Sequence, residues 1–290
     1  MRLRVFSLYV RLTPLSDTIL PPVSSKVLKN MIEKGVILSS MKPLIESRAK
    51  LKPIFISNLG ISENKRLFST GNKELVVKAG KTLYGRIGAV FDGNMENVFS
   101  DTSEIETPYG KFRYEIDRLE FTEIGSKLNI SKDSNIKITF MTPTLLSSKM
   151  YLPPSLADKY KEIDVGFSLL PTPGLIAAAA YRTYYGAIGN ANKPEVNTRA
   201  FKLNVLVNSF TRVINYELKP VTIVLGNDEK GNLRKSRGVI GWIEFDIVHD
   251  KFRDALLKYL NVARFLGIGR SRGIGLGEIS IVGTRKIQSS

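Results

Sequence analysis

Residues 267–277 read GIGRSRGIGLG, with five glycines and two arginines between a helical stretch and a strand-like one. Glycine loses more conformational freedom on folding than any other residue, so a fold that keeps this run must need the bare backbone there. The order of elements narrows which folds qualify. Before the run, KFRDALLKYLNVARFL (251–266) carries apolar residues at helical spacing; after it, LGEISIVGTRKI alternates as a strand does. Nucleotide-binding loops run the other way, from strand through glycines into helix. The spacing Gly267, Gly269, Gly273 also has one residue too many for a dinucleotide fingerprint, and no lysine closes the run as a P-loop requires. Helix capping accounts for one or two of the glycines. The others, with Arg270 and Arg272 among them, are expected to cradle phosphate, because backbone N–H groups and guanidinium forks both suit phosphate oxygens.

The elements leading to that loop form two similar series. Residues 2–12 read as a strand, and SSKVLKNMIEKG as a short helix that begins at Ser24 or Ser25 and is closed by Gly35. PIFISNLG, LFST, ELVVKAG and YGRIGAVF are expected strands, and YGKFRYEIDRLEFTEI a long alternating one. A polar stretch, GSKLNISKDSN, separates the halves. The second half opens with the strand IKITFMTPTLL, and PSLADKYKEI and PGLIAAAAYRTYYGAIG are helical by period and alanine content. RAFKLNVLVNSFTRVINYELKPVTIVLG is expected to give strands joined by turns, and RGVIGWIEFDI another strand before the 251–266 helix. This double alternation implies an α+β protein of two tandem ferredoxin-like (RRM-like) domains, residues 1–130 and 131–290.

Charge then points to a partner. Lys and Arg number 43 against 27 Asp and Glu, a formal net charge of +16 in a chain that is 43% hydrophobic. Such a chain builds packed cores under a basic surface, and the expected partner is a polyanion, nucleic acid first. With no cysteine and His249 as the one histidine, thiolate and multi-histidine metal sites are excluded, as is a two-histidine ribonuclease mechanism. Glu115, Asp117 and Glu120 alternate along one strand and do not converge, so no metal or cofactor is expected. His249 reads as a helix-start or surface residue, and Tyr181, Tyr184 and Tyr185 as packing residues more than base-stacking ones. The apolar stretch GLIAAAAY is too short to span a membrane, and arginines interrupt the N-terminal apolar run as they do in no secretory signal. A cytoplasmic protein without membrane contact is expected.

At this point a resemblance becomes specific. GIGRSRGIGLGEI between the last helix and last strand, together with ILPPVSSKVLKNMI, KPIFISNLG, MTPTLLSSKMYLPPSL and GNLRKSRGVIGWIEFDI, resembles the repeat-associated mysterious protein superfamily. Within it, the chain is similar to the endoribonucleases that process CRISPR repeat RNA, in their crenarchaeal, histidine-free form, over essentially its whole length. The resemblance implies a two-lobed protein that binds repeat RNA across a basic face and cuts one phosphodiester without metal. The products it implies are a 2′,3′-cyclic phosphate and a 5′-hydroxyl. Many members use a histidine in or near the first helix, which this sequence lacks.

RNA carries its own nucleophile in the 2′-OH, so a protein need only align it and stabilise developing charge. Cations at a helix N-terminus suit that task. Lys26 and Lys29 are three residues apart, on one face of the first helix. The resemblance adds Lys52, just before the next strand. Lys29 and Lys52 are expected to be catalytic, with Lys26 beside them. Ser25, Arg234, Arg237, Gly269, Arg270, Ser271, Arg272 and Gly273 are expected to contact the RNA backbone, Arg270 and Arg272 chiefly setting affinity. The rival readings are a guide-RNA-binding subunit of a CRISPR effector complex that does not cleave, a general RNA-binding or ribosome-associated protein, and, weakest, a metal-dependent nuclease, which chelator sensitivity would distinguish. Subunits of such a complex are further candidate partners, and monomer and homodimer both remain open.

Overall fold

In the computed structural model, which describes residues 3–47, 51–71, 74–91, 103–190, 193–227 and 230–286, the first apolar run is strand β1 (Arg4–Pro14). Period-two alternation sends Phe6, Leu8, Val10 and Leu12 to one face, where they are almost fully buried. Each such burial contributes roughly 1.5–3 kcal/mol. Helix α1 (Ser25–Glu33) covers that face with Val27, Leu28, Met31 and Ile32, an apolar stripe at helical spacing. Strands β2 (Ile54–Ile56), β3 (Gly60–Ser62), β4 (Leu83–Phe91) and β5 (Gly110–Glu123) complete the main platform. The central order is β3-β4-β1-β5, with β2 also paired to β4 and every pairing antiparallel.

The second half repeats this plan. Strand β6 (Ser134–Thr144) is followed by helices α2 (Pro173–Ala187) and α3 (Pro194–Ser209), then β7 (Thr211–Asn227), β8 (Leu233–Ile247), helix α4 (Asp250–Leu266) and β9 (Ile279–Arg285). Its sheet runs β7-β8-β6-β9, again antiparallel. In both halves the first strand lies inside the sheet, β1 between β4 and the last strand β5, and β6 between β8 and the last strand β9. That is the ferredoxin-like order, so the protein is an α+β chain of two tandem ferredoxin-like folds. Each half encloses its own core, one around Leu8 and Leu28, the other around Phe140 and Leu260.

Two local expectations are corrected. RAFKLNVLVNS is not a strand but most of helix α3, and only Thr211–Asn227 is extended. Polar and apolar residues alternate through FKLNVLV, yet Val196, Ala200, Asn204 and Val207 also fall on one helical face, and those four are buried. Their neighbour decides the outcome: α2 offers small residues such as Ala178, and Gly174 approaches so closely that a Cβ there would lie 2.1 Å from the Asn204 carbonyl oxygen. LFST likewise contributes only an isolated bridge, Phe68 to Val23.

The two lobes are locked together by buried charge. Glu278, immediately before β9, accepts two hydrogen bonds from Arg66 (Nε to Oε2 2.7 Å, Nη2 to Oε1 2.6 Å) and one from Arg86 Nε (3.2 Å). All three side chains are nearly fully buried, with 4–5% relative exposure. Arg86 Nη1 also donates to Ser7 Oγ (2.9 Å) and to the Phe265 carbonyl near the end of α4 (2.8 Å). Burial pushes the Glu278 pKa up, but the charges and hydrogen bonds of Arg66 and Arg86 outweigh it and hold the carboxyl below its ordinary value.

Removing this carboxylate strands two buried guanidinium groups. Glu278→Ala is therefore expected to lower the unfolding free energy at neutral pH by about 3–5 kcal/mol, measured by urea denaturation. A folded pKa below the unfolded value of 4.5 makes the stabilisation complete above that pH and lost as pH falls through the folded value. The variant's stability should consequently lose part of its acid sensitivity. A loss under about 1 kcal/mol would show that the arginines find other acceptors.

Candidate active site

Helix α1 begins at Ser25 with Ser24 at the N-cap position, but the Ser24 hydroxyl does not cap. It donates to the Leu67 carbonyl (2.6 Å) and accepts from the Leu59 N–H (2.9 Å), tying the start of the helix to the segment after β2. The Ser25 N–H donates to Asn58 Oδ1 (3.2 Å), and Asn58 Nδ2 donates to the Gly275 carbonyl (3.0 Å). Gly275 adopts φ +83°, and a Cβ there would lie 2.7 Å from the Asn58 nitrogen, so no other residue fits without displacing α1's support.

Arg272 supplies the second tie. It is buried in a single 3-10 turn (Arg272–Ile274), and its guanidinium donates to the carbonyls of Leu266 and Lys52, both at 3.0 Å. One loop thus holds both segments that carry the predicted lysines: the start of α1 and the residue before β2. This revises the loop's expected role. At Gly269 the crowding neighbour is protein, since a Cβ would lie 2.5 Å from the Leu145 carbonyl oxygen, and of the five loop glycines Gly273 is the one with open space around its Cβ position. The backbone is bare mainly so that it can lie against the protein's own strands. Arg272 and Ser25, both buried, are correspondingly withdrawn from the surface set. Arg270 remains exposed, its N–H donating to the Leu145 carbonyl (3.0 Å), and half-exposed Ser271 turns the chain at φ +63°.

The lysines converge. The Lys26 ammonium reaches the end of β7, where a Cβ on Gly226 would come within 2.9 Å of Nζ. Gly226 pairs with Arg234 across the β7–β8 hairpin, so the second lobe brings a cation to the first lobe's helix. Burial, then the charges of Lys29 and Arg234, lower the Lys26 pKa; burial, then Lys29, lower that of Lys52. Lys29 lies 3.3 Å from Glu33, one turn on, in a half-exposed pair. Lys52 Nζ donates to the Ile45 carbonyl, which fixes the side chain at the base of the group. Arg237 does not join them: three residues along β8, it stands opposite Thr222 on the other face of the strand from Arg234.

Arg182 is a residue that sequence reasoning misses. It stands in α2, and its Nε is buried without a hydrogen-bond partner. Burial and then Arg270 lower its pKa. A lone cation in the apolar run GLIAAAAYRTYYGA is the available signal. Tyr181, Tyr184 and Tyr185 form an aromatic cluster with Tyr259, ring centroids 4.4–5.5 Å apart, and serve packing. His249 takes the N-cap position of α4, with its ring against Phe210 and Phe252. Asp117 and Glu120 are occupied by Arg118. Among the described residues no group of three His, Cys, Asp or Glu gathers as metal ligands, and no helix is long and apolar enough to cross a membrane.

The chain matches the family model described as Cas6 N-terminal domain over residues 6–122, and that described as CRISPR-associated endoribonuclease Cas6 over residues 138–279. It is 46% identical over 280 residues to CRISPR-associated endoribonuclease Cas6 2 of Saccharolobus solfataricus, and 47% identical over 282 residues to Cas6 1 of the same organism, covering 96% of each chain in both cases. Among solved structures it is similar to Thermus thermophilus Cas6 (TTHB231), with TM-score 0.60 and 16% identity over 97% of this chain and 98% of that one. The product complex of Cas6 (TTHB231) also gives TM-score 0.60, at 15% identity over 97% of this chain and 99% of that one. At such identity the likeness speaks for the fold.

Crowded cations oppose folding. Because the Lys26 pKa lies below its unfolded value, its charge costs stability at neutral pH, and the cost fades as pH climbs through the folded value toward 10.5. Lys26→Met should therefore stabilise the free protein at pH 7 by roughly 0.5–1 kcal/mol, a modest gain because solvent still screens the half-exposed ammonium. Urea denaturation at neutral and alkaline pH checks this, with the gain expected to shrink at the alkaline end.

Proposed function

Since the chain belongs to the Cas6 family of CRISPR-associated endoribonucleases, we propose that the lysines gathered at the start of α1 and before β2 are the place where it cuts RNA. It is an endoribonuclease that processes precursor CRISPR RNA. The observation that carries the assignment is the convergence of Lys26, Lys29 and Lys52 with Arg234 from the opposite lobe. Crowded, part-buried positive charge at a helix N-terminus suits a phosphate that becomes more negative as it reacts.

The step is a transesterification. The ribose 2′-oxygen forms a bond to phosphorus as the bond from phosphorus to the 5′-oxygen of the next nucleotide breaks. The products are a 2′,3′-cyclic phosphate and a 5′-hydroxyl. The 2′-OH proton passes to solvent base, and the leaving 5′-oxygen takes a proton from a lysine ammonium, a donor made more acidic by its neighbours' charge. Lys29 and Lys52 hold the non-bridging oxygens, and Lys26 with Arg234 closes the group from above. Arg270, exposed on the loop, positions a neighbouring phosphate. No histidine lies near these groups, so alignment and charge stabilisation carry the acceleration, and slow turnover is expected.

Incubating the protein with repeat RNA of its own host in excess EDTA, beside the same RNA with a 2′-deoxy substitution at the cut, tests this directly. Cleavage at one position, indifferent to EDTA and abolished by the deoxy substitution, is expected. Lys29→Ala and Lys52→Ala should each cut the rate at least about tenfold while weakening binding much less, as loss of a group acting in the transition state requires. Tight binding without a cut would overturn the assignment.

Arg270 and Arg272 should separate by salt dependence. Arg270→Ala is expected to reduce the slope of log affinity against log salt by about 0.7–0.9 for each phosphate left unneutralised. Arg272→Met should leave that slope unchanged and lower the unfolding midpoint instead.

A further inference from the structure

Beside the lysines, between α2 and the glycine loop, lies a cavity of about 480 Å³. Leu51, Leu145, Met150 and Ala179 form apolar wall, and Arg182 and Arg270 reach its edge. Arg182 rises from the buried alanine face of α2, with Nε shielded from solvent and no acceptor within reach. Its charged neighbours are Arg270 and Arg272, both of its own sign. Arg272 is spent on carbonyls, but Arg182 and Arg270 are not paired with any carboxylate among the described residues, and no acidic residue lines the cavity. Two guanidinium groups at a hollow with one apolar wall and the hydroxyls of Ser147, Thr183 and Ser271 on its lining, one guanidinium with an unmade donor, call for an anion attached to something that fills the remaining space.

Position says what that something is. Leu51 is the residue before Lys52, so the cavity shares a wall with the cleavage centre. Sequence-specific RNA recognition works on single-stranded nucleotides whose unstacked bases leave the helix and lie against side chains and guanidinium planes. A volume of this size falls within the range of small-ligand sites. We propose that this cavity holds one unstacked nucleotide of the RNA next to the scissile phosphate. Its phosphate lies on Arg182 and Arg270, and its base lies against Leu145, Met150 and Ala179. Arg182 is then a positioning residue: it draws the adjoining nucleotide out of the stack and sets the scissile bond in line for attack. This rests on the lysines being the cleavage centre.

The experiment uses the full chain and an uncleavable repeat RNA, 2′-deoxy at the cut, with 2-aminopurine placed in turn at each position flanking it. Binding to the wild-type protein should raise the fluorescence several-fold at one flanking position, where the base unstacks, and leave the others little changed. Arg182→Met should abolish that rise, weaken binding about tenfold and lower the single-turnover rate at saturating ribose RNA. Because it removes an unsatisfied buried donor from apolar surroundings, the variant should unfold at the same urea concentration as wild type or higher. A merely structural arginine would instead lower that midpoint and leave the fluorescence rise intact, which overturns the proposal. Weaker binding by Arg182→Met with no rise at any position in wild type would reduce the cavity to a phosphate contact, which also overturns it while leaving the cleavage centre standing. If the wild-type protein fails to cut the ribose RNA, the cleavage centre itself falls, and this subsite with it.

Discussion

One carboxylate held by two buried guanidinium groups connects everything else in this molecule. Glu278 follows directly on the glycine loop, and Arg66 and Arg86 belong to the first lobe's sheet. A buried ion is tolerated only when its hydrogen bonds are met, and here both carboxylate oxygens accept from arginine. The arrangement fixes the last residue of the loop against β4. From there, Arg272 and Asn58 pass the position on to Lys52 and to the start of α1. The lysines therefore owe their spacing to a junction made by the opposite lobe, even though all three come from the first.

That dependence explains which parts are legible in the sequence. The strands of each half, helix α1 and helix α4 show in their apolar period, because each lays one face on a core of its own lobe. Lys26 and Lys29 are legible for the same reason, as two cations on one face of a short helix. Lys52 is not: a lysine before a proline is an ordinary way to begin a strand, and only the resemblance points to it. Helix α3 reads as strand because FKLNVLV satisfies both periods, and the deciding partner, the small-residue face of α2, lies outside the segment. Arg272 reads as a ligand contact because an arginine among glycines looks the same in sequence whether it faces solvent or carbonyls. Its acceptor at Lys52 is 220 residues away along the chain. Arg182 is easily passed over beside more conspicuous tyrosines, although a cation in a buried alanine-rich helix is the more unusual feature.

The glycine loop also changes meaning. Loops that bind phosphate through bare backbone leave their N–H groups turned outward. In this loop the N–H of Arg270 is bonded to Leu145, that of Ile268 to Gly277, and that of Gly277 to Pro143. The loop behaves as a mould in which the backbones of both lobes meet at close range. What the loop leaves to solvent is side chain more than backbone, and Arg270 is its exposed cation.

An enzyme that relies on charge and alignment, with no histidine to shuttle protons, needs its cations rigid before RNA arrives. A flexible lysine would have to be ordered in every turnover, and that ordering would subtract from the stabilisation of the transition state. Here the ordering is done during folding. The hairpin of the second lobe is laid over Lys26, the Ile45 carbonyl holds Lys52, and the buried junction keeps both lobes from sliding apart. The same preorganisation leaves positive groups crowded and partly desolvated in the free protein, so the site is strained against its own charge until an anion enters. On the proposed assignment a phosphodiester would relieve that strain, and the more negative phosphorane would relieve it further. With the lysines as the proposed cleavage centre, the difference between those two states, built in by packing, is what would lower the barrier.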